Sequence, residues 1–415
     1  MNILIVSNLY APDFCGGAAQ FTDLSIGLRD RGHDVTVYTT HPYYPQWRRK
    51  SDASVWPIQE ETHEGIRVLR HGIYVPRNPS KLIPRLAYEL SFTASLMRSL
   101  FRGPRYDAVM VFCPLLGAVI FAAARKLLRR ETIWLNVQDI PTDASLAAGI
   151  SKRGLFQSLA ERFQRRLFSY ADVWSTINPT MRERLQQLDR SSREIHLCPN
   201  WLIGPLADAV ADARQTKRTC EGESPRLLYC GNIGGKQGLL QFCKTLQRSN
   251  LPFHFKIRGQ GSSHAEIQSW LAEVADNRFS LDGFLDDEEF VREIAAADLF
   301  VVTEKRDAGF SFIPSKLIPS ISIGTPLLAV SDQTSPLGQE VSKHQLGIHC
   351  TWETIESTLP HVLDRKELRE GLPQFQANCL TRAKFYGRDE SINRYERVFE
   401  QIQPAKGTCT EVVSA

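Results

Sequence analysis

The chain has 415 residues, too many for one small hydrophobic core, and this length favours two domains. Hydrophobic residues make up 42% of the sequence and charged residues 23%, which excludes an intrinsically disordered protein. The formal net charge of +4 is small, and no zinc-finger, helix-turn-helix or RNP signature is present, so we expect no nucleic-acid partner. The cysteines have no metal-binding spacing and indicate a reducing compartment, so we expect a cytoplasmic protein.

Short apolar runs alternate with helical segments in the N-terminal half. The first run, residues 2–8, lacks the features of a signal peptide and predicts a strand. Further strands are predicted at 33–40, 66–72, 107–113, 132–139, 172–178 and 194–200. Most of these runs are continuously apolar, which is typical of parallel strands buried on both faces. The rhythm predicts a doubly wound, Rossmann-like α/β domain over residues 1–203.

The most membrane-like stretch is AVMVFCPLLGAVIFAAA, residues 108–124. Its length is at the short limit for a membrane-spanning helix, about 17 residues. Because Pro114 and Gly117 divide it, we favour a buried strand followed by a buried helix, with a membrane span as the alternative.

The strand rhythm restarts in the C-terminal half. Residues 204–225 are poor in large apolar side chains and predict a linker. Strands are then predicted at 226–232, 253–259, 279–285, 298–304 and 326–331. A second Rossmann-like domain is therefore expected over 226–380. The carboxyl ends of both sheets are expected to face each other across a cleft, where ligands of such folds bind.

Glycine-rich loops follow several predicted strands. Gly16 and Gly17 indicate either a tight turn or a place where a ligand approaches the backbone. In the second domain, GNIGGKQG exposes backbone N–H groups that suit a diphosphate. The candidate binding residues in this loop are Gly231, Asn232, Gly234, Gly235, Lys236 and Gln237. Arg258 and Gly259 end the next strand in a similar way.

Polar side chains also follow the predicted strand 132–139. Gln138, Asp139 and Asp143 are expected at the carboxyl end of the first sheet, where a carboxylate can accept a proton or bind a sugar hydroxyl. For Asp143 a helix cap is an equally good interpretation, because Thr142 and Asp143 precede a helical segment.

These motifs resemble those of GT-B glycosyltransferases of the retaining family four, from one end of the chain to the other. The resemblance rests on Gly16-Gly17, CPNW at 198–201, GNIGGKQG, RGQG at 258–261, AAADLFVV at 295–302 and the Gly324-Thr325-Pro326 turn. Residues 381–402 resemble the C-terminal helix that crosses back to the first domain, and 403–415 are expected to form a flexible tail. Among branches of the family, the motifs look most like those of bacterial exopolysaccharide transferases, including colanic-acid-like ones.

The resemblance implies a sugar donor activated by a nucleoside diphosphate, with no metal ion and no other cofactor. It also implies a lipid-linked saccharide as acceptor. Gly16, Gly17, Gln138, Asp139 and Asp143 would then lie on the acceptor side, and the glycine loop with Arg258 and Gly259 on the donor side.

The sequence departs from the family pattern where paired glutamates are expected. The two positions fall on Ser311 and Pro319, or on Ala308 and Lys316, depending on the register. The basic pair of the glycine loop is replaced by Asn232 and Gln237. We therefore expect Ser315 and Lys316 to bind the diphosphate, with Lys316 as the main positive charge on the leaving group and Asp139 as the second catalytic candidate.

Two alternatives remain from the sequence. Lys316 can instead be a solvent-facing lysine, and the whole chain can be a catalytically degenerate GT-B protein. Such a protein would bind a sugar nucleotide or an assembly partner without turnover.

A basic amphipathic segment extends from Arg77 to Arg105 and holds one acid, Glu89. Its apolar side chains Leu86, Leu90, Met97, Leu100 and Phe101 fall near one side of a predicted helix. Its basic residues are Arg77, Lys81, Arg85, Arg98, Arg102 and Arg105, and Arg125, Lys126, Arg129 and Arg130 form a second cluster. Such a surface suits peripheral binding to an anionic membrane; the alternative is a stripe that faces the core, with a solvated basic side.

Overall fold

A computed structural model describes residues 1–13, 17–44, 46–50, 57–77, 82–143, 154–189, 191–216, 224–306 and 314–402. It divides the chain into two compact units. Unit 1 comprises residues 1–177, 182–199 and those from 391 onward, and unit 2 comprises 178–181 and 200–390. The predicted features Gly16, Lys81, Ala308, Ser311 and the tail 403–415 lie outside the described residues.

Unit 1 is built on one mainly parallel sheet. Its strands are β1 (Asn2–Val6), β2 (Asp34–Thr40), β3 (Gln59–His63), β4 (Ile66–His71), β5 (Ala108–Cys113), β6 (Thr132–Val137), β7 (Val173–Thr176) and β8 (Ile195–Leu197). The strand order is β3-β4-β2-β1-β5-β6-β7-β8, and β3 pairs antiparallel with β4. The helices are α1 (Gly17–Asp30), α2 (Leu82–Met97), α3 (Leu116–Arg129), α4 (Leu155–Phe168) and α5 (Pro179–Leu188), whose first residues count with unit 2.

Unit 2 is built on a second sheet, in which every pairing is parallel. Its strands are β9 (Arg226–Cys230), β10 (His254–Arg258), β11 (Phe279–Asp282), β12 (Leu299–Thr303), β13 (Leu327–Val330) and β14 (Gly347–Cys350), in the order β11-β10-β9-β12-β13-β14. The helices are α6 (Gly204–Thr216), α7 (Leu239–Arg248), α8 (His264–Val274), α9 (Asp287–Ala296), α10 (Leu317–Ile323), α11 (Pro336–His344), α12 (Ile355–Leu363) and α13 (Arg365–Ala383). A 3₁₀ turn (Lys384–Tyr386) precedes the last helix, α14 (Arg388–Ile402).

The predicted α/β class and both doubly wound sheets are confirmed, and every predicted strand is present. Strands β3 and β14 were not predicted, and both lie at an edge of their sheet. The apolar stretch 108–124 forms β5 and most of α3, as the preferred interpretation expected. None of the helices in the described ranges is both long enough and apolar enough to cross a membrane.

Two interpretations of the sequence are wrong. Within the supposed linker, residues 204–216 form helix α6, and Val210 and Ala213 pack into the core of unit 2. Within the second basic cluster, Arg125 is fully buried and donates to both carboxylate oxygens of Glu131, at 2.5 and 2.6 Å. The linker was predicted because α6 is rich in alanine and buries only a narrow face. Arg125 was assigned to a surface cluster because a count of charges does not show that it has a buried partner.

Residues 391–402 of α14 belong to unit 1 and complete its core. The ring centroids of Tyr395 and Phe399 lie 5.4 and 4.8 Å from that of Trp134 on β6. Asn136, fully buried on the same strand, donates from Nδ2 to the Tyr395 hydroxyl at 3.3 Å. His33 Nε2 lies 2.9 Å from a carboxylate oxygen of Glu396. The last helix therefore covers the sheet of the first unit.

We predict that α1 and α14 are packed too closely for a side chain at Gly27. A Cβ built there would lie 2.2 Å from Ile392 Cδ1. Gly27→Ala should therefore lower the free energy of unfolding by about 1–3 kcal/mol, measured by urea denaturation. In an Ile392→Val background, which lacks Cδ1, the same change should cost less than about 1 kcal/mol, since alanine is the better helix former. An equal loss in both backgrounds would contradict this packing.

Candidate functional site

The carboxyl ends of β9 and β12 form the best-placed ligand site of unit 2. From β9 the chain proceeds outward through β10 and β11, and it then returns to the other side of β9 with β12. Ligands of doubly wound sheets bind where the strand order reverses in this way. The glycine loop 231–238 follows β9, and Glu304 follows β12, so both lie at this reversal.

The glycine loop is fixed by backbone packing against the next loop. A Cβ at Gly259 would lie 1.9 Å from the Gly231 carbonyl oxygen, and one at Gly261 would lie 2.3 Å from that of Ile233. Gln237 accepts a hydrogen bond from the Gly234 N–H at 3.0 Å. These glycines are therefore required by the close approach of two loops. Asn232, Gly235 and Lys236 remain exposed on the outer side.

Lys316 lies against this loop. Its Nζ is 3.6 Å from the ring centroid of Tyr229 on β9, and its Cδ would be 3.5 Å from a Cβ at Gly231. Burial lowers the pKa of the Lys316 ammonium to about 7. The alternative of a solvent-facing lysine is therefore wrong. Pro319 is the third residue of α10, within the first turn, where proline is tolerated.

Glu304 is the carboxylate of this site that sequence reasoning missed. Burial raises its pKa to about 7, while a hydrogen bond from Ser335 and the charge of Lys316 act in the opposite direction. Its carbonyl oxygen accepts from Trp352 Nε1 at 2.8 Å, which fixes the chain just after β12. Both groups are partly buried, and a carboxyl and an ammonium with pKa values moved to about 7 make this reversal a candidate functional site.

Arg258 and Ser315 were also predicted on the donor side, and their surroundings differ from those of Lys316. Arg258 is held by ion pairs from Nη1 to Asp282 at 2.7 Å and from Nη2 to Glu293 at 3.2 Å. Its guanidinium is therefore part of a charge network at the edge of the sheet. The side chain of Ser315 is exposed next to Lys316.

The corresponding reversal in unit 1 lies between β1 and β5. Asn8, just after β1, donates from Nδ2 to the hydroxyl groups of Tyr43 and Tyr88, which are themselves 2.7 Å apart. The ring of Trp47 lies 5.6 Å from that of Tyr43 and 5.7 Å from that of Tyr88, between centroids. This aromatic cluster combines ring surfaces with hydrogen-bonding groups.

Two carboxyl groups flank the end of β5. Burial raises the pKa of the Cys113 thiol far above its usual range, and the charges of Asp139 and Glu89 add to the rise, so both carboxyl groups are near it. Burial also raises the pKa of Glu89 to about 7, although it can accept from the Gly117 N–H. Glu89 can therefore donate or accept a proton near neutral pH. Asp139 lies just after β6, as predicted.

The other predicted acceptor-side residues have structural partners. Asp143 accepts from Arg184 Nε at 2.9 Å and from Nη2 at 3.1 Å. Gln138 donates from Nε2 to the Asn136 side chain at 2.6 Å. Gly17 is the first residue of α1, where a Cβ would lie 2.5 Å from the Phe21 ring. These contacts explain the residue types without a ligand.

Helix α2 and the turn that follows it present an apolar stripe to the solvent, called below the stripe of α2. Leu86, Leu90, Met97 and Phe101 are exposed by 51, 67, 37 and 72%, whereas Leu100 is buried. A stripe that faces the core is therefore the wrong interpretation for four of these five side chains. The exposed members at helical spacing make this stripe a candidate interaction surface.

Glu304, Glu89 and the aromatic cluster were not identified from the sequence. Glu304 is the last residue of the predicted strand 298–304. Its position directly after an apolar run could have identified it as a site residue. Glu89 was noted as the one acid of a basic segment, which was the corresponding signal. The Tyr43–Trp47–Tyr88 grouping depends on contacts between distant segments and had no local signal.

Comparison with known proteins agrees with this architecture. Residues 16–201 match the family model described as Glycosyl transferase 4-like domain. The chain is 29% identical to WcaI of Escherichia coli (strain K12), named as a colanic acid biosynthesis glycosyl transferase, over 82% of this chain and 85% of WcaI.

Solved structures show the same fold at low identity. Sucrose-phosphate synthase from Thermosynechococcus elongatus has a TM-score of 0.71 and 15% identity, covering 97% of this chain and 98% of that one. HepE of Anabaena, in complex with UDP-glucose, has a TM-score of 0.65 and 14% identity, covering 97% of this chain and 100% of HepE. Residues 16–201 thus match a glycosyl transferase 4-like domain, the two parallel sheets and these neighbours show the GT-B fold, and the family match together with the similarity to WcaI supports a glycosyltransferase.

Proposed function

We propose that the protein is a retaining glycosyltransferase of bacterial exopolysaccharide biosynthesis. It moves a sugar from a nucleoside-diphosphate donor to a lipid-linked saccharide at the cytoplasmic face of the membrane, without a metal ion. The observation that carries the proposal is the grouping of the glycine loop, Lys316 and Glu304 at the strand reversal of unit 2. The similarity to WcaI supports the exopolysaccharide class.

The donor side follows from the chemistry of these groups. The leaving diphosphate gains negative charge as the glycosidic bond breaks, and a lysine in a desolvated position stabilises that charge strongly. Lys316, against Gly231, is suited to this role once it is protonated. Glu304 can bind hydroxyl groups of the donor, which a carboxylate does well in a buried position.

The direct test is turnover of a panel of nucleotide sugars by the purified full-length protein. Donor hydrolysis, or transfer to a lipid-linked acceptor, with one of them supports the enzyme. Binding in calorimetry without any turnover would instead support the rival function, a degenerate protein that only binds sugar nucleotides.

We predict that Lys316→Met weakens nucleoside-diphosphate binding by about tenfold to a hundredfold at pH 6.5, because a charged hydrogen bond is lost. The pKa of Lys316 is lowered to about 7, so its ammonium is mostly protonated below pH 7 and progressively lost above it. Wild-type affinity should therefore fall as the pH rises from 7 to 9, by up to about tenfold per unit. The fall should be shallower in Lys316→Met. Titration calorimetry at several pH values measures both effects, and an unchanged affinity in the variant would remove Lys316 from the site.

We propose that Asp139 and Glu89 act on the acceptor. Both carboxyl groups lie near Cys113, at the end of β5, and the aromatic cluster beside Asn8 can bind the faces of sugar rings. Asp143, paired with Arg184, serves as the matched control.

Asp139→Asn should lower the transfer rate by about a hundredfold or more, the scale of general acid–base catalysis, with little change in donor affinity. Asp143→Asn should have a much smaller effect on transfer. Steady-state kinetics, with donor affinity measured separately, would check this. Loss of donor binding with normal turnover of the bound donor would contradict the role of Asp139.

We propose that the protein binds the membrane through the apolar stripe of α2. Arg85, Arg98 and Arg102 accompany the stripe, so apolar burial and attraction to anionic lipids can act together. Arg102 also lies 3.6 Å from Glu60, and Arg105 donates to the Arg130 carbonyl oxygen.

Leu86→Ser combined with Leu90→Ser should lower binding to anionic vesicles by at least about tenfold, since each exposed leucine contributes apolar area. The matched control combines Leu127→Ser and Leu128→Ser, two exposed leucines of α3. Cosedimentation should also show partial release at high salt, because screening weakens the arginine contribution. An equal loss in the control pair would argue against a specific docking face.

A further inference from the structure

A cavity in unit 1 lies beside helix α2. Its volume is about 410 Å³, within the range of roughly 300–1,000 Å³ that is typical of small-molecule sites. Its walls come from residues 72–75, which follow β4, from α2, and from the segment that carries the aromatic cluster.

The interior of this cavity is apolar because its polar groups are already paired. Ser95 and Ser91 accept hydrogen bonds from the backbone N–H groups of Gly72 and Tyr74, at 3.1 and 2.8 Å. Ile73, Val75 and Ala94 supply the rest of the wall.

The charged groups of the cavity all have one sign. Arg49 and Arg98 line it, both with exposed side chains, and no carboxylate is present among the described residues that form its wall. Guanidinium groups bind phosphate oxygens in a bidentate manner, so they suit a phosphorylated ligand. An apolar wall with two arginines indicates a ligand that has both a hydrocarbon part and an anionic part.

The cavity is continuous with the exposed apolar stripe. Ala94 lines the cavity and lies between Leu90 and Met97, one helical turn from each, on the exposed face of α2. A chain leaving the cavity along α2 would therefore meet Leu90 on one side and Met97 on the other.

We propose that this cavity binds the isoprenoid diphosphate end of the lipid-linked acceptor. The first isoprenoid units fill the space beside Ile73, Val75 and Ala94, and Arg49 and Arg98 bind the diphosphate. The remaining hydrocarbon follows the stripe of α2 toward the bilayer. This inference rests on the proposed function, since it assumes a lipid-linked acceptor.

The test uses farnesyl diphosphate, a short and soluble isoprenoid diphosphate, with inorganic diphosphate and farnesol as its two fragments. Each is titrated into the full-length protein without detergent, below its aggregation concentration, and followed by calorimetry. Farnesyl diphosphate should bind at least about tenfold more tightly than either fragment, because only the whole ligand uses both the arginines and the apolar wall.

Matched variants locate the binding. Ala94→Trp fills the cavity and Arg98→Gln removes one charge, so each should weaken farnesyl diphosphate binding by about tenfold or more. Ala87→Trp and Arg85→Gln change exposed residues of the same helix that do not line the cavity, and they should leave binding unchanged. Lys316→Met should also leave it unchanged, which excludes the glycine loop as the place of binding. Thermal unfolding checks that each variant is folded. If Ala94→Trp does not fold, Arg98→Gln by itself tests the proposal.

Several results would overturn the inference. Inorganic diphosphate binding as tightly as farnesyl diphosphate, unaffected by Ala94→Trp, would show a site for free phosphate. Farnesol binding as tightly as farnesyl diphosphate would show that the cavity binds only the hydrocarbon. If farnesyl diphosphate does not bind, the proposed site does not exist. Turnover of nucleotide sugars is measured separately. Turnover without farnesyl diphosphate binding would contradict the cavity alone, and binding without turnover would contradict the proposed function alone.

Discussion

The burial of both sheets on their two faces is the constraint on which the rest of the structure depends. Strands such as β5 and β12 are buried along their whole length, so their side chains have little room for polar chemistry. Polar groups are therefore concentrated where the strands end. Gly231 and Glu304 in unit 2, and Asn8 and Asp139 in unit 1, all follow the carboxyl end of a strand.

The same burial changes the chemistry of the groups at these ends. Lys316 and Glu304 have pKa values moved toward 7 from opposite sides, because removal from water disfavours both charged forms. Both groups therefore titrate near neutral pH, and binding of a diphosphate, as proposed above, would favour the protonated lysine. In the proposed reaction, such a site would stabilise charge most strongly when the charge of the ligand is greatest, as catalysis of bond cleavage requires.

Prediction from the sequence succeeded where local patterns decide the structure. Continuous apolar runs gave the central strands, and the glycine spacing gave the loop beside Lys316. The missed strands, β3 and β14, are at sheet edges; β3, QEETH, is polar because little of it is buried. Arg258 and Asp143 were assigned to ligands because their partners, Glu293 and Arg184, are distant in sequence. Glu89 also has a contact that is distant in sequence, the N–H of Gly117 in α3. The periodicity of α2 cannot reveal that contact.

The return of the last helix to the first unit has a consequence for synthesis. Trp134 and Asn136 meet Tyr395 and Phe399, which are translated after all of unit 2. Domains generally fold as they emerge, but the sheet of this unit stays partly uncovered until the residues from 391 onward have followed unit 2. Loss of the final helix, by premature termination or by proteolysis, would therefore damage the domain made first. Completion of the first unit therefore depends on a segment that is translated after the second unit.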